Sequence, residues 1–191
     1  MAISLLLVRH AAHADVGLRL TGRGAEDGLT SEGRAQAVAL AEQLSNLAIT
    51  AVYSSPRLRT RVTAAAVAER HDLSTVVAAE LDEIDFGAWT GKSFAELAGD
   101  PQWDRWNAER GSARCPGGES MAEAVDRAAG MIDELARRHD GEQIALVTHC
   151  DIIRGLLCRA HGRSLDEILT FDVQPASVTT LRLGDAERAA A

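Results

Sequence analysis

From Ile3 to Val8 the chain places five apolar residues in six positions, interrupted only by Ser4. A short continuous run of this kind predicts a strand buried on both faces, as in a parallel sheet covered by helices. Gln143 to Val147 repeats the pattern, and Ile49 to Tyr53 and Ser74 to Ala78 predict two shorter strands. Apolar and polar residues alternate from Ser177 to Leu183, which suits a strand at the sheet edge.

Between these runs the spacing becomes helical. Leu29-Thr30-Ser31-Glu32 marks a helix start, with Thr30 as cap and Glu32 near the positive dipole end. Val38, Ala41, Leu44 and Leu47 keep helical spacing behind it. Pro56 suits the first turn of a second helix that runs to about Glu69. Ser120 and Glu123 have capping-box spacing and open a helix with Met121, Val125, Ala128, Ile132 and Leu135 on one side. A last helix passes through Ile153, Leu156 and Leu157, and short helices are expected between Ser93 and Arg110. The connection from Ala11 to Gly28 is polar and irregular, and loops of that length in compact domains usually serve function. With no repeat, low-complexity tract or linker, the alternation of strand and helix predicts one α/β domain over residues 1–191.

Polar residues sit where the buried strands stop. An unpaired guanidinium is costly to bury, so the first strand should end at Val8 and deliver Arg9 and His10 to the carboxyl edge of the sheet. Ligand crevices form at that edge in open α/β folds. Ala145-Leu146-Val147-Thr148-His149 repeats the arrangement, so parallel central strands would bring His10 and His149 over one crevice. A third strand ends near Ser54-Ser55, ahead of a helix carrying Arg57, Arg59 and Arg61. A helix N-terminus favours anions, and guanidinium groups add bidentate contacts to their oxygens. The combination predicts a site for a phosphate dianion with a nucleophile beside it.

Composition narrows the partners. A net charge of −8 argues against a nucleic-acid partner, so an anionic ligand must be held by a local positive cluster. The three cysteines lack metal-type spacing and fit free thiols in a reducing compartment. No basic segment precedes Ile3 to Val8, and that run is too short for a signal peptide or a membrane span. The expectation is a cytoplasmic protein without a membrane partner, and a homo-oligomer is compatible with the sequence.

Five motifs now stand in order: Arg9-His10; Ser54-Ser55-Pro56 with Arg59 and Thr63-Ala64; Glu83 ahead of Phe86-Gly87-Ala88-Trp89-Thr90-Gly91; Pro116-Gly117-Gly118-Glu119-Ser120; and Val147-Thr148-His149. Together they resemble the histidine phosphatase superfamily, in its phosphoglycerate-mutase-like branch, over nearly the whole chain. The resemblance implies a three-layer sandwich, with helices on both faces of a mostly parallel sheet and a lid or insertion around 89–118. It implies catalysis through a phosphohistidine on His10. Arg9, Arg59 and His149 would hold the phosphoryl oxygens, and Glu83 would be the general acid and then base. Arg19, Thr21, Gly22 and Arg23 stand where the family often touches substrate. No metal or other cofactor is required, and the partner is a small phosphorylated metabolite.

The chain departs from the family at Ala11, where Gly is usual, at Ala12, His13 and Val16, and at Cys150-Asp151, where Gly-Gly is usual. A positive φ at Ala11 would be strained. Three activities are weighed on this pattern. A phosphatase is favoured over a mutase, because dedicated mutases of the family carry a longer insertion between the acid and the second histidine. A metal-dependent hydrolase would use His10, His13, Asp15, His149 and Asp151 as ligands, with Arg9 repelling the cation. An inactive phosphate-binding module is the third, opposed by the joint presence of His10, Glu83 and His149.

Overall fold

The computed structural model describes residues 2–24 and 28–184. Five strands form one sheet: β1 (Ile3–Arg9), β2 (Ile49–Ser54), β3 (Thr75–Val77), β4 (Gln143–Thr148) and β5 (Val178–Leu183). Their order is β3-β2-β4-β1-β5; the first four elements run parallel and β5 pairs antiparallel with β1 at the edge. The two central strands are the two continuous apolar runs, and the reason is geometric. Successive side chains of a strand point to opposite faces, so a strand covered on both must be apolar throughout. In β1, Ile3, Leu5 and Leu7 enter one core while Leu6 and Val8 enter the other. In β4, Ile144 and Leu146 take the first side and Ala145 and Val147 the second.

Helices α1 (Ser31–Leu44) and α2 (Leu58–Arg70) cover the Leu6 side. Two short helices, α3 (Phe94–Leu97) and α4 (Pro101–Ala108), precede α5 (Met121–Arg138) and α6 (Cys150–Ala160), which cover the Leu7 side. The expected three layers are therefore present. Thr30 caps α1 by accepting from the Gly33 amide, and Ser120 with Glu123 closes the capping box of α5. Met121, Val125, Ala128, Ile132 and Leu135 are buried as their spacing indicates. Trp106 and Trp89 join the same core edge to face, 6.1 Å apart, so the segment carrying them is packed into the domain.

Three local expectations are corrected. Ala41 and Leu44 are buried as expected, but Val38 is 66 % exposed and Ala37 and Leu40 take the buried face beside them. Leu47 lies beyond the end of α1. Helix α2 begins at Leu58 with Arg57 as its cap, so Pro56 precedes the helix. There the Ser55 hydroxyl accepts from the Arg57 amide and the Ser55 carbonyl from the Thr60 hydroxyl, closing a turn ahead of the first helical bond. Of the connection from Ala11 to Gly28, residues 25–27 lie outside those described. Cys115, Cys150 and Cys158 are free thiols. No helix of the described residues is long and apolar enough to cross a membrane.

Candidate active site

His10 follows β1 directly and is 4 % exposed. Its backbone amide donates to the Thr148 carbonyl at 3.0 Å, locking it to the end of β4. The ring Nδ1 lies 2.9 Å from the Ala11 carbonyl. A carbonyl only accepts, so Nδ1 carries the proton and Nε2 keeps a lone pair. Burial pushes the His10 pKa well below its usual value, and the nearby charge of Arg59 adds to this. The ring is neutral at physiological pH. Ala11 adopts no positive φ, a conformation confined to Asp72 and Ala176 among the described non-glycine residues. Its amide instead donates to Thr63 Oγ1 at 3.0 Å. The turn after His10 is then braced by α1: a Cβ on Gly33 would stand 1.9 Å from the Ala12 carbonyl oxygen, a spacing that only glycine allows.

His149 follows β4 and is fully buried, its ring centroid 5.4 Å from that of His10. Arg59 Nη2 donates to His149 Nδ1 at 3.1 Å. That bond leaves the proton on Nε2, which meets Ser55 Oγ at 2.7 Å, and Ser55 passes its own proton toward Asp82 Oδ1 at 3.3 Å. Burial lowers the His149 pKa well below its usual value, followed by the charge of Arg59. Arg59 itself is 1 % exposed, in the first turn of α2, and also donates to the Gly22 carbonyl at 2.8 Å. Gly22 has φ +51°, and a Cβ there would meet the Phe86 ring at 2.9 Å, so glycine is needed to present that carbonyl.

Glu83 enters from the segment after β3, its carboxylate 3.6 Å from His149 Nδ1. The imidazole is neutral, so this contact is a charge-dipole one and no ion pair. Burial raises the Glu83 pKa to about 7, the negative charge of Asp151 pushes the same way, and Arg59 and the Ile84 amide oppose them. Near neutral pH the group is therefore poised between donor and acceptor of a proton.

The structure thus gathers His10, Arg59, His149 and Glu83 within one buried site, and Arg9 is near enough for its charge to act on His10. Arg9 is half-buried at the rim, donating from Nη1 to the Val173 carbonyl at 2.6 Å. The second tier of candidates is engaged in hydrogen bonds of its own. Thr21 donates to Asp15 at 3.1 Å, and Arg19 donates to the Gly91 carbonyl at 2.6 Å. Arg23 is turned to the Glu83 carbonyl at 2.8 Å and to Glu119 at 2.8 Å. His13 stacks obliquely beside His10, ring centroids 5.2 Å apart.

Several partners were not singled out by sequence reasoning. Ser55 accepts the Nε2–H of His149 and is itself oriented by Asp82, yet they read only as part of a motif and as one acid among several. Arg110 is 7 % exposed, donates to Asp151 at 3.0 Å and lies over the Trp106 ring at 5.0 Å. Among the described residues no three His, Cys, Asp or Glu side chains converge as a set of metal ligands. Asp15 faces Arg19 at 3.6 Å, and Asp151 is held between Arg110 and Arg154, the latter at 3.6 Å.

Comparison with known proteins extends the pattern beyond the site. The family model of the histidine phosphatase superfamily (branch 1) matches residues 5–190. Phosphoserine phosphatase 1 of Hydrogenobacter thermophilus is 32 % identical over 185 residues, covering 95 % of this chain and 87 % of that protein. Among solved structures, a mycobacterial glucosyl-3-phosphoglycerate phosphatase superposes with a TM-score of 0.85 at 26 % identity, over 95 % of this chain and 91 % of that one. A phosphoserine phosphatase of Entamoeba histolytica, solved with 3-phosphoglyceric acid, gives 0.82 at 25 % identity, over 93 % and 89 %. The family model spans nearly the whole chain and the fold superposes along its length, and the chain belongs to branch 1 of the histidine phosphatase superfamily.

Proposed function

We propose that this protein is a metal-independent phosphomonoesterase that hydrolyses a small phosphorylated metabolite through a phosphohistidine on His10. One observation carries the reading: the Ala11 carbonyl holds the proton on Nδ1, leaving a neutral ring with its Nε2 lone pair. In the first step Nε2 bonds to phosphorus, the bond from phosphorus to the ester oxygen breaks, and the departing alcohol takes the proton of Glu83. In the second, water attacks that phosphorus and gives its proton to the Glu83 carboxylate. The nitrogen–phosphorus bond breaks and its electron pair returns to Nε2. Arg59 and Arg9 offset the charge spread over the phosphoryl oxygens, and His149 supports them by holding Arg59 Nη2.

The names of the relatives, phosphatases of phosphoserine and of glucosyl-3-phosphoglycerate, support a small phosphorylated metabolite as substrate. The segment 89–118 covers the leaving-group side in this reading, and one unit formed by residues 1–191 carries the activity in the cytoplasm. Phosphate release from 4-nitrophenyl phosphate in EDTA tests the reading, with His10→Ala as control. Activity that persists in EDTA and disappears in the variant is expected. Activity abolished by EDTA and restored by a divalent ion would overturn it.

A further inference from the structure

Glu83 stands in a stretch with no helix or strand to fix its backbone: residues 82–86 carry no regular structure. Its carbonyl and those around it must find partners elsewhere. They converge on one side chain of α5. Arg127 Nη1 donates to the Glu80 carbonyl at 2.6 Å, and Nη2 donates to the carbonyls of Asp82 at 2.7 Å and Glu83 at 2.9 Å. The guanidinium is fixed in turn by Glu119, with Nε on Oε1 at 3.1 Å and Nη2 on Oε2 at 3.2 Å.

A second guanidinium closes the same ring. Arg23 donates from Nε to the Glu83 carbonyl at 2.8 Å and from Nη2 to Glu119 Oε2 at 2.8 Å. Glu119 Oε2 also accepts from the Asp85 amide at 3.0 Å, and the Glu119 amide donates to the Asp85 carbonyl at 2.8 Å. Burial raises the Glu119 pKa, but the bonds from Arg127 and the Asp85 amide outweigh it and hold the group below its usual range, as a carboxylate. Two arginines and one carboxylate thus fasten the backbone on both sides of the residue that faces His149.

We propose that Arg127 and Glu119 are positioning residues for the general acid: with Arg23 they clamp residues 80–85 and hold the Glu83 carboxyl at the leaving-group oxygen. The inference rests on Glu83 being that acid. Only a planar fork can serve three carbonyls and a carboxylate at once, so lysine at 127 keeps the charge and loses the clamp.

The test compares kcat/KM for 4-nitrophenyl phosphate with that for phenyl phosphate, whose leaving phenolate is more basic and needs protonation more. Glu83→Gln should lose on the order of ten- to a hundredfold more on phenyl phosphate than on the nitrophenyl ester. Arg127→Lys and Glu119→Gln should lose in the same direction, about fivefold or more, with KM little changed. Their circular dichroism should match the parent. Arg127→Met should repeat the pattern more strongly. Equal losses on both esters in the Arg127 and Glu119 variants, with Glu83→Gln still selective, would overturn the clamp and leave Glu83 as the acid. Absence of selectivity in Glu83→Gln itself would overturn both.

Discussion

The ends of β1 and β4 are nearly the same in sequence, and they face each other in register, Val8 beside Val147 and Arg9 beside Thr148. Each delivers a buried neutral histidine to one crevice, yet the rings are prepared for opposite roles. At His10 the partner on Nδ1 is a carbonyl, so the proton stays there and Nε2 has a lone pair to offer. At His149 the partner on Nδ1 is a guanidinium, so the proton sits on Nε2, which donates to Ser55 Oγ. The difference lies in what the neighbours donate and accept rather than in the strands. In the proposed mechanism the first ring is the nucleophile and the second a strut for Arg59.

Perturbing the neighbours should erase that distinction in graded steps. The largest effect is expected at Arg59, which holds His149 and, in the proposed mechanism, the phosphoryl oxygens. Arg59→Met should lower kcat/KM for 4-nitrophenyl phosphate by on the order of a thousandfold, and a loss under about tenfold would remove it from the phosphoryl pocket.

Asp151 comes next, because its charge raises the pKa of Glu83, the proposed general acid. With Glu83 titrating at about 7, proton donation to the alcohol falls as pH rises through that value. Asp151→Asn removes a negative charge beside Glu83, so the fall in kcat/KM should move to lower pH. Stability follows the same sign. The folded-state pKa is raised from 4.5 to about 7, so the group's contribution is full below 4.5 and lost as pH rises through the window to 7. Urea midpoints measured from pH 4.5 to 7.5 should decline less in Glu83→Gln than in the parent. The two lowered histidines act in the opposite direction, and their contribution is lost as pH falls below 6.5.

Ser55→Ala breaks the chain behind His149 without touching His10. Removing one buried hydrogen bond, worth roughly 1 kcal/mol, should reduce kcat/KM about fivefold. Nitrogen chemical shifts should show the His149 proton still on Nε2, because Arg59 still donates to Nδ1, with the His10 tautomer unchanged. Smallest of all is Ala11→Gly, which restores the common family residue at a position with no positive φ. It should leave activity nearly intact and lower stability by roughly 0.5–1 kcal/mol through the freer unfolded chain.

The same comparison shows what a sequence can and cannot carry. Both strand ends were legible because a strand covered on two faces has no choice but to be apolar, and its last polar residue marks the sheet edge. Arg59 and Glu83 were legible through their motifs, since composition alone offers several arginines and acids to choose from. The face of α1 was legible at Ala41 and Leu44 and not at Val38, because Val38 and Ala37 differ by one step and the pattern tolerates either. The partners that decide chemistry were least visible. Ser55 reaches His149 across 94 residues and Arg127 reaches Glu83 across 44, and no local spacing records such contacts. Ala11 illustrates the converse: the departure from glycine looked like a source of strain, and the backbone there needs no left-handed conformation at all.

The most direct measurement is to trap the phosphoenzyme. A phosphorylated substrate labelled at phosphorus is mixed with the parent protein, His10→Ala and His149→Ala, quenched in alkali, and the label is mapped by peptide sequencing. The expected result is an alkali-stable label on His10 in the parent and, more slowly, in His149→Ala, with none in His10→Ala. Label on His149, or label surviving in His10→Ala, would contradict the assignment of the two strand ends.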